Sequence, residues 1–231
     1  MDRTEQFLEK YKELENAAVS CLDMEDDGHA VANLERRREF QDVRTELAYC
    51  RDVRNLLSHR ARVNGSFAVQ PSQAMLTLLD DMIKRVKHPT LLKDIAHPVG
   101  GILKAQPSDG VYGLMRRMSE RGISHVPVLR EGRVCGVFSM STAFMCILEG
   151  KRLADDGITL ADISSLTALD AHGSETFAFM RPEDTLAAAE ERSEQKQKEH
   201  KRIGLFLLTA EGKPSGRLLG ILTPWDVLAA K

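Results

Sequence analysis

Cysteine is scarce in this chain of 231 residues, and the four present (Cys21, Cys50, Cys135, Cys146) form no C-x-x-C pair. That spacing excludes a disulfide framework and a zinc knuckle, and it fits a reducing compartment. Charge of one sign is not in excess either. Lys and Arg number 32 against 34 Asp and Glu, a formal net charge of −2, which excludes a generally basic nucleic-acid coat. No apolar run approaches the roughly 20 residues of a membrane span. The opening Met1-Asp2-Arg3-Thr4-Glu5 carries no apolar leader core. The expected location is the cytoplasm, with no membrane partner. Walker loop, H-E-x-x-H, nucleophile elbow and dinucleotide fingerprint are all missing, which argues against NTPase, metal-hydrolase and dehydrogenase chemistry. What is present is an ordinary globular composition, 42% hydrophobic and 29% charged. The chain is long enough for two domains, each with its own core.

Residues 1–88 predict helices and no strand. Phe7, Tyr11, Leu14, Ala18 and Leu22 form one apolar stripe. The acidic run Asp23-Met24-Glu25-Asp26-Asp27-Gly28 interrupts it. A second helical pattern is expected from about Ala30 to His59, with Leu34, Phe40, Val43, Leu47, Cys50, Val53 and Leu57 on one side. Asn64-Gly65-Ser66 is a turn signal. A third helix follows Ser72 as its cap, with Met75, Leu79, Met82, Ile83 and Val86 inward.

Near the end of the second pattern stand Arg54, Asn55 and His59. Asn55 and His59 share a helix face, and Arg54 lies at its edge. An imidazole there can take a proton from a ribose 2′-hydroxyl or return one to a leaving oxygen. A guanidinium can hold the phosphate and the charge that builds on it. The alternative is that these cations suit the helix dipole at its C-terminus. Between Arg36 and Arg62 there are eight arginines against four acids. That surplus suits a polyanion, or else a solvated face of Glu/Arg pairs. The three residues resemble the signature of the HEPN family of small α-helical domains. The resemblance implies a metal-independent endoribonuclease that leaves a 2′,3′-cyclic phosphate and a 5′-hydroxyl. In it His59 is the acid or base, Arg54 the phosphate clamp and Asn55 the positioning residue. Its groove is usually completed across a two-fold axis.

Residues 89–231 repeat. Ile102-Leu103 is expected as a brief strand, and Pro107-Ser108-Asp109 opens a helix that Gly122 stops. Strands are expected over Ile123–Val128 and Val134–Ser139, and a helix over Ser141–Glu149. Pro182-Glu183-Asp184 matches Pro107-Ser108-Asp109 at an offset of 75. Ile203 matches Ile123 at 80, and Gly220-Ile221-Leu222-Thr223 matches Gly136-Val137-Phe138-Ser139 at 84. A period this long signals two stacked copies of one supersecondary unit.

These copies resemble a pair of CBS domains, the Bateman module. The specific part is a glycine, an apolar strand end, a Ser or Thr, and an Asp at the next helix start. The second copy has all of it in Gly220, Thr223 and Asp226. Thr223 and the first helix amides can donate to phosphate, and Asp226 can accept both hydroxyls of a ribose. The same residues also suit a T-P-x-D capping box. In the first copy Gly136 and Ser139 match, but Thr142 stands where Asp is expected. The resemblance implies an adenosine nucleotide (AMP, ADP or ATP) as regulatory ligand, held first in the second copy. Its base would lie between the strands leading from Phe177 and Ile203. Ser139 marks the weaker first site, and no catalytic metal is expected. His125 is expected as a packed or rim residue.

The fold class is therefore α+β: a HEPN-like all-α domain over 1–88, then tandem β-α-β-β-α CBS repeats over 89–231. Repeat one spans about 89–150 and repeat two about 158–231. The expected function is nucleotide sensing coupled to RNA cleavage or binding in a homodimer. Two alternatives stand beside it. One is a non-enzymatic nucleotide-binding module with the helices as a dimerisation arm. The other is a regulator of a separate partner protein.

Overall fold

The computed structural model describes residues 2–22, 24–25, 27–59, 67, 69–153 and 157–230. The chain divides into two compact units, Met1–Pro89 and Thr90–Lys231. The turn expected at Asn64-Gly65-Ser66 lies outside the described residues, as do Asp23 and Asp26 of the acidic break. Among the described residues no helix is long and apolar enough to cross a membrane.

The first unit is helical: α1 (Arg3–Leu22), α2 (Ala30–Leu34), a 3₁₀ segment (Arg38–Val43), α3 (Arg44–His59) and α4 (Gln73–Lys87). Phe7, Tyr11 and Leu14 of α1 share one core with Leu34, Phe40, Leu47, Cys50, Leu76, Leu79 and Val86. The Ser72 hydroxyl accepts from the Met75 amide at 3.3 Å and caps α4. The single helix expected from Ala30 to His59 is broken. Going from Leu34 to Phe40 along a helix turns through about 240° at 3.6 residues per turn, so the apolar stripe does not continue. The chain instead extends at Arg37. The Gln41 amide ties the break by donating to the Glu35 and Arg37 carbonyls, each at 3.1 Å. This turns Phe40 inward, 2% exposed, beneath the Arg85 guanidinium.

The second unit alternates strands and helices: α5 (Leu92–Ile95), β1 (His97–Pro98), α6 (Val111–Arg121), β2 (His125–Arg130), β3 (Arg133–Ser139), α7 (Met140–Leu148), α8 (Ser164–Thr167), β4 (Glu175–Met180), α9 (Leu186–Lys198), β5 (Arg202–Thr209), β6 (Leu218–Leu222) and α10 (Pro224–Ala229). One sheet runs β1-β6-β5-β4 and the other is the β2-β3 hairpin. Between them lies a core of Val134, Val137, Leu205, Leu207, Leu218 and Ile221. The strand expected at Ile102-Leu103 does not form. A turn closed by the Gly101 amide on the Pro98 carbonyl takes up the preceding residues. Pairing is left to Ala105, which bridges Val128 in parallel. Gly122 ends α6 at φ +64°, the left-handed conformation that glycine adopts without strain.

The segments that lead into the two copies are exchanged. The Leu92 and Lys93 amides donate to the Asp184 and Pro182 carbonyls, each at 2.9 Å. In the same way the Leu160 and Ala161 amides donate to the Asp109 and Pro107 carbonyls, at 3.0 and 2.8 Å. Each leader is thus bonded to the other copy's strand-to-helix turn.

Candidate functional site

Arg54 and Asn55 lie on α3, in the first unit. Arg54 Nη1 donates to Asn55 Oδ1 at 3.2 Å. Its guanidinium also sits 5.6 Å from the centre of the Tyr11 ring, and its Nη2 is 3.7 Å from Glu15 Oε1. The expected phosphate clamp is therefore held against α1 by a cation–π contact and a carboxylate. Burial pushes the Tyr11 hydroxyl well above its usual range, with the Glu15 charge adding to the effect. His59 ends α3, and its side chain lies outside the described structure, as do Arg60 and Arg62. Other arginines of this stretch are paired: Arg51 with Glu35 at 2.7 Å and Arg37 with Glu39 at 3.0 Å. An open groove of about 650 Å³ runs between α3 and α4, lined by Thr45, Tyr49, Asp52, Met75 and Leu78 among others. Arg54 and Asn55 are not among its lining residues.

The second candidate is the start of α10. The Asp226 Oδ2 atom accepts from the Thr223 amide at 2.7 Å and from the Thr223 hydroxyl at 2.8 Å. The Asp226 amide donates back to the Thr223 hydroxyl at 3.3 Å, completing a capping box. This occupies one carboxylate oxygen. The other, Oδ1, is 3.2 Å from His97 Nε2. The His97 side chain is 57% exposed and that of Asp226 25%. The cap thus takes Asp226 Oδ2, and Oδ1 stands beside the His97 imidazole. Burial pulls the Asp226 carboxyl upward, but the Thr223 and His97 hydrogen bonds outweigh it and hold it below the usual carboxylate range.

Gly220 has a backbone reason. A Cβ there would lie 2.9 Å from the His97 carbonyl oxygen, because β1 crosses β6 at that point. Gly136 matches it: a Cβ would meet the Thr167 carbonyl at 2.6 Å. Ser139 and Thr142 build the same box at α7. The Ser139 amide reaches Thr142 Oγ1, and the Thr142 amide reaches Ser139 Oγ, both at 3.2 Å. Both residues are buried.

Phe177 and Ile203 are not brought together. Thr176 pairs with Ile203 but Phe177 with Leu205, so Gly204 bulges out of register. Ile203 then packs in the core beneath α9 and α10, while Phe177 packs between the sheets. The strands leading from these two residues, β4 and β5, run as parallel hydrogen-bonded neighbours. Phe177 instead meets the His172 ring edge-on at 4.8 Å.

A cluster not anticipated from sequence lies where the copies meet. Glu175 is buried, its Oε1 accepting from Arg202 at 2.7 Å and its Oε2 lying 3.3 Å from His125 Nε2. The Ser124 hydroxyl holds the other ring nitrogen at 2.9 Å. Burial pushes the Glu175 carboxyl upward, but His125 and Arg202 together bring it below its ordinary value. A Cβ on Gly204 would stand 2.9 Å from His125 Nε2, so this cluster and the strand bulge share one space.

Residues 92–149 match the CBS domain family. The chain is similar to a CBS domain over these residues. Its match covers the first copy, with Ser139 and Thr142 inside it. Among solved structures, a CBS domain-containing protein of unknown function from Bacillus anthracis is 19% identical, covering 61% of this chain and 91% of its own, with a TM-score of 0.44. A signal-transduction protein with CBS domains from Burkholderia ambifaria is 16% identical, covering 61% of this chain and 93% of its own, also at 0.44. CBSX2, solved in complex with AMP, is 18% identical, covering 61% and 95%, at 0.43. No curated protein sequence matches the chain.

Proposed function

We propose that the second unit is an adenosine-nucleotide-binding regulatory module with one working cleft, at Thr223 and Asp226. The observation that carries this reading is the Asp226 carboxylate. One oxygen is fixed by its cap and the other stands at a partly open surface beside His97. The equivalent place in the first copy holds a buried threonine that cannot accept as a charged group. A hydrogen bond to a charged acceptor is worth about 1.5–3 kcal/mol, roughly tenfold to a hundredfold in affinity. Asp226→Ala is expected to weaken AMP, ADP or ATP binding by that factor in titration calorimetry. It should also lower stability by about 1 kcal/mol through loss of the cap. Unchanged affinity in Asp226→Ala, with the stability loss present, would leave the residue only a cap.

The module acts as a homodimer in this reading. α7 turns Met140, Phe144, Ile147 and Leu148 outward at 59–69% exposure. α10 does the same with Trp225 at 77% and Leu228 at 54%. Apolar surface of this kind on neighbouring repeats suits a self-complementary contact.

A second reading, endoribonuclease action by Arg54, Asn55 and His59, is favoured by the Arg54–Asn55 contact on α3. Against it stands the hold of Tyr11 and Glu15 on Arg54. Incubation of wild type and His59→Ala with mixed RNA, in the presence of EDTA, separates the readings. Loss of 2′,3′-cyclic-phosphate products by roughly 10²–10⁴ in His59→Ala supports catalysis. Intact RNA with wild type leaves the helical unit as a dimerisation or partner-binding arm.

A further inference from the structure

The hairpin tips of the two copies put three arginines in one row. The β2–β3 turn, Glu131-Gly132, sets Arg130 directly opposite Arg133. Arg133 in its turn forms an antiparallel bridge to Arg217, which leads into β6. The Leu218 amide donates to the Gly132 carbonyl at 2.9 Å. That bond flanks the Arg133–Arg217 pair and makes it the close, non-hydrogen-bonded kind, with Cα atoms about 4.5 Å apart. Residues directly opposite share a sheet face. Val134 and Leu218, next along the strands, are buried in the core between the sheets. Arg133 and Arg217 therefore take the other face, and all three arginines are exposed.

The registers also fix where the row lies. Just past matching register shifts, Leu129 stands opposite Val134 in the first copy and Thr209 opposite Leu218 in the second. Val134 and Leu218 are counterparts, and so are Arg133 and Arg217, each one residue earlier. A residue that pairs antiparallel with its own counterpart lies on the local two-fold axis relating the copies. Arg130 is the asymmetric member, since its counterpart is Ala210.

Like charges directly opposite one another destabilise a sheet. None of these three guanidiniums has an ion pair or a side-chain hydrogen bond among the described residues. By contrast, Arg51, Arg181 and Arg202 each hold a carboxylate. The acids of the two tips, Glu131 and Glu211, are exposed and do not pair with the row. The Arg217 arm lies along the hairpin turn, where a Cβ on Gly132 would stand 3.5 Å from its Nε. Its guanidinium is thus laid over the turn that carries Arg133.

We infer that this row is an anion site for linked phosphoryl groups, a diphosphate or a longer chain. A carboxylate has two oxygens and suits one guanidinium fork. Two forks meet on the axis, and a phosphate offers oxygens on more than one side to fill both. Arg130 stands one strand spacing away, about 4.8 Å, and is left for the next phosphoryl group. The length of β6 separates Arg217 from α10. The site is therefore distinct from the Thr223–Asp226 cleft and independent of the nucleotide reading.

The test is titration calorimetry on the full chain at low salt with inorganic tripolyphosphate, orthophosphate, citrate and a short oligouridylate. The proteins are wild type, Arg133→Gln, Arg217→Gln and Arg217→Lys. Wild type is expected to bind tripolyphosphate at least about tenfold more tightly than orthophosphate or citrate. Arg133→Gln and Arg217→Gln should each weaken it by roughly tenfold to a hundredfold, the range of a charge-assisted hydrogen bond. Arg217→Lys keeps the charge and loses the fork, and should weaken it by roughly three- to tenfold. Tripolyphosphate bound equally by wild type and both glutamine variants, or not bound by wild type, would overturn the site. Citrate bound as tightly as tripolyphosphate would overturn the phosphate assignment in favour of a carboxylate partner such as an acidic peptide. Tighter binding of oligouridylate, whose phosphates are separated by sugars, would overturn the linked chain. Melting curves without ligand add an independent check. Each glutamine variant removes a repulsion and should melt with wild type or slightly above it. A loss of several degrees in both would mean that the row is satisfied within the chain, and would overturn the inference.

Discussion

At the scale of single residues, His172 is buried with its Nε2 atom lacking a hydrogen-bond partner. Burial pulls its pKa below the usual imidazole value of 6.5. Glu175 and the Thr167 and Val137 carbonyls act the other way without cancelling that effect. The sign follows from linkage. Below pH 6.5 the unfolded chain takes up a proton that the folded chain resists. Stability is therefore lost as pH falls from 6.5 toward the depressed folded value, and is fully present above 6.5. The prediction is that wild type loses more thermal stability than His172→Gln between about pH 7.5 and 5.5. Parallel melting curves across that window would mean that His172 does not titrate in isolation. Glu175 belongs to the same space but answers differently. Its buried carboxylate is bonded on both oxygens by Arg202 and His125, so it stabilises as a pair member and not as a lone charge.

At the scale of elements, what the sequence made legible was what is local. The Ser72 cap, the Gly122 stop and the Thr223–Asp226 box each close within three or four residues, and each is found in place. The break between α2 and α3 was hidden because Phe40 is apolar on either path, and only its angular mismatch with Leu34 separates them. The Gly204 bulge was hidden because β5 reads as one unbroken buried run with no alternation to show a slip, yet it sends Ile203 and Phe177 to opposite faces. The His97–Asp226 contact joins residues 129 apart and follows from the β1–β6 crossing alone. α7 shows the opposite case, a helix with an outer face that its own unit does not cover. Phe144 is 60% exposed and Leu148 63%, and they lie four apart on one face. Burying a side chain of this size is worth about 1.5–3 kcal/mol. Phe144→Asp with Leu148→Lys is expected to convert a dimer into a monomer in analytical ultracentrifugation while leaving the melting curve of the monomer near that of wild type. A wild type that sediments as a monomer at micromolar concentration would remove the basis for this contact.

At the scale of the whole molecule, the two units have separate hydrophobic cores. One is built from α1 to α4, and the rest belong to residues after Thr90. Separate cores make separate cooperative transitions the expectation. The chain supplies its own reporter for telling them apart. Its one tryptophan, Trp225, is in α10, beside Thr223 and Asp226 and wholly within the second unit. Helix content monitored by circular dichroism weighs both units, whereas tryptophan fluorescence follows only the second. A ligand that binds the folded second unit at one hundred times its Kd stabilises that unit by about 2.7 kcal/mol and leaves an uncoupled neighbour unmoved. Saturating AMP is therefore expected to raise the fluorescence transition by several degrees and to shift only part of the dichroism transition. If both signals move together by the same amount, the units unfold as one body and nucleotide occupancy is transmitted to the helices, with a coupling set by the size of the common shift. If the dichroism signal splits and its AMP-insensitive part disappears from a Phe7→Ala variant, whose side chain is fully buried in the helical core, the insensitive part belongs to the first unit. Deleting a buried phenylalanine costs about 3–5 kcal/mol, enough to melt that unit early and leave the nucleotide-responsive transition standing alone.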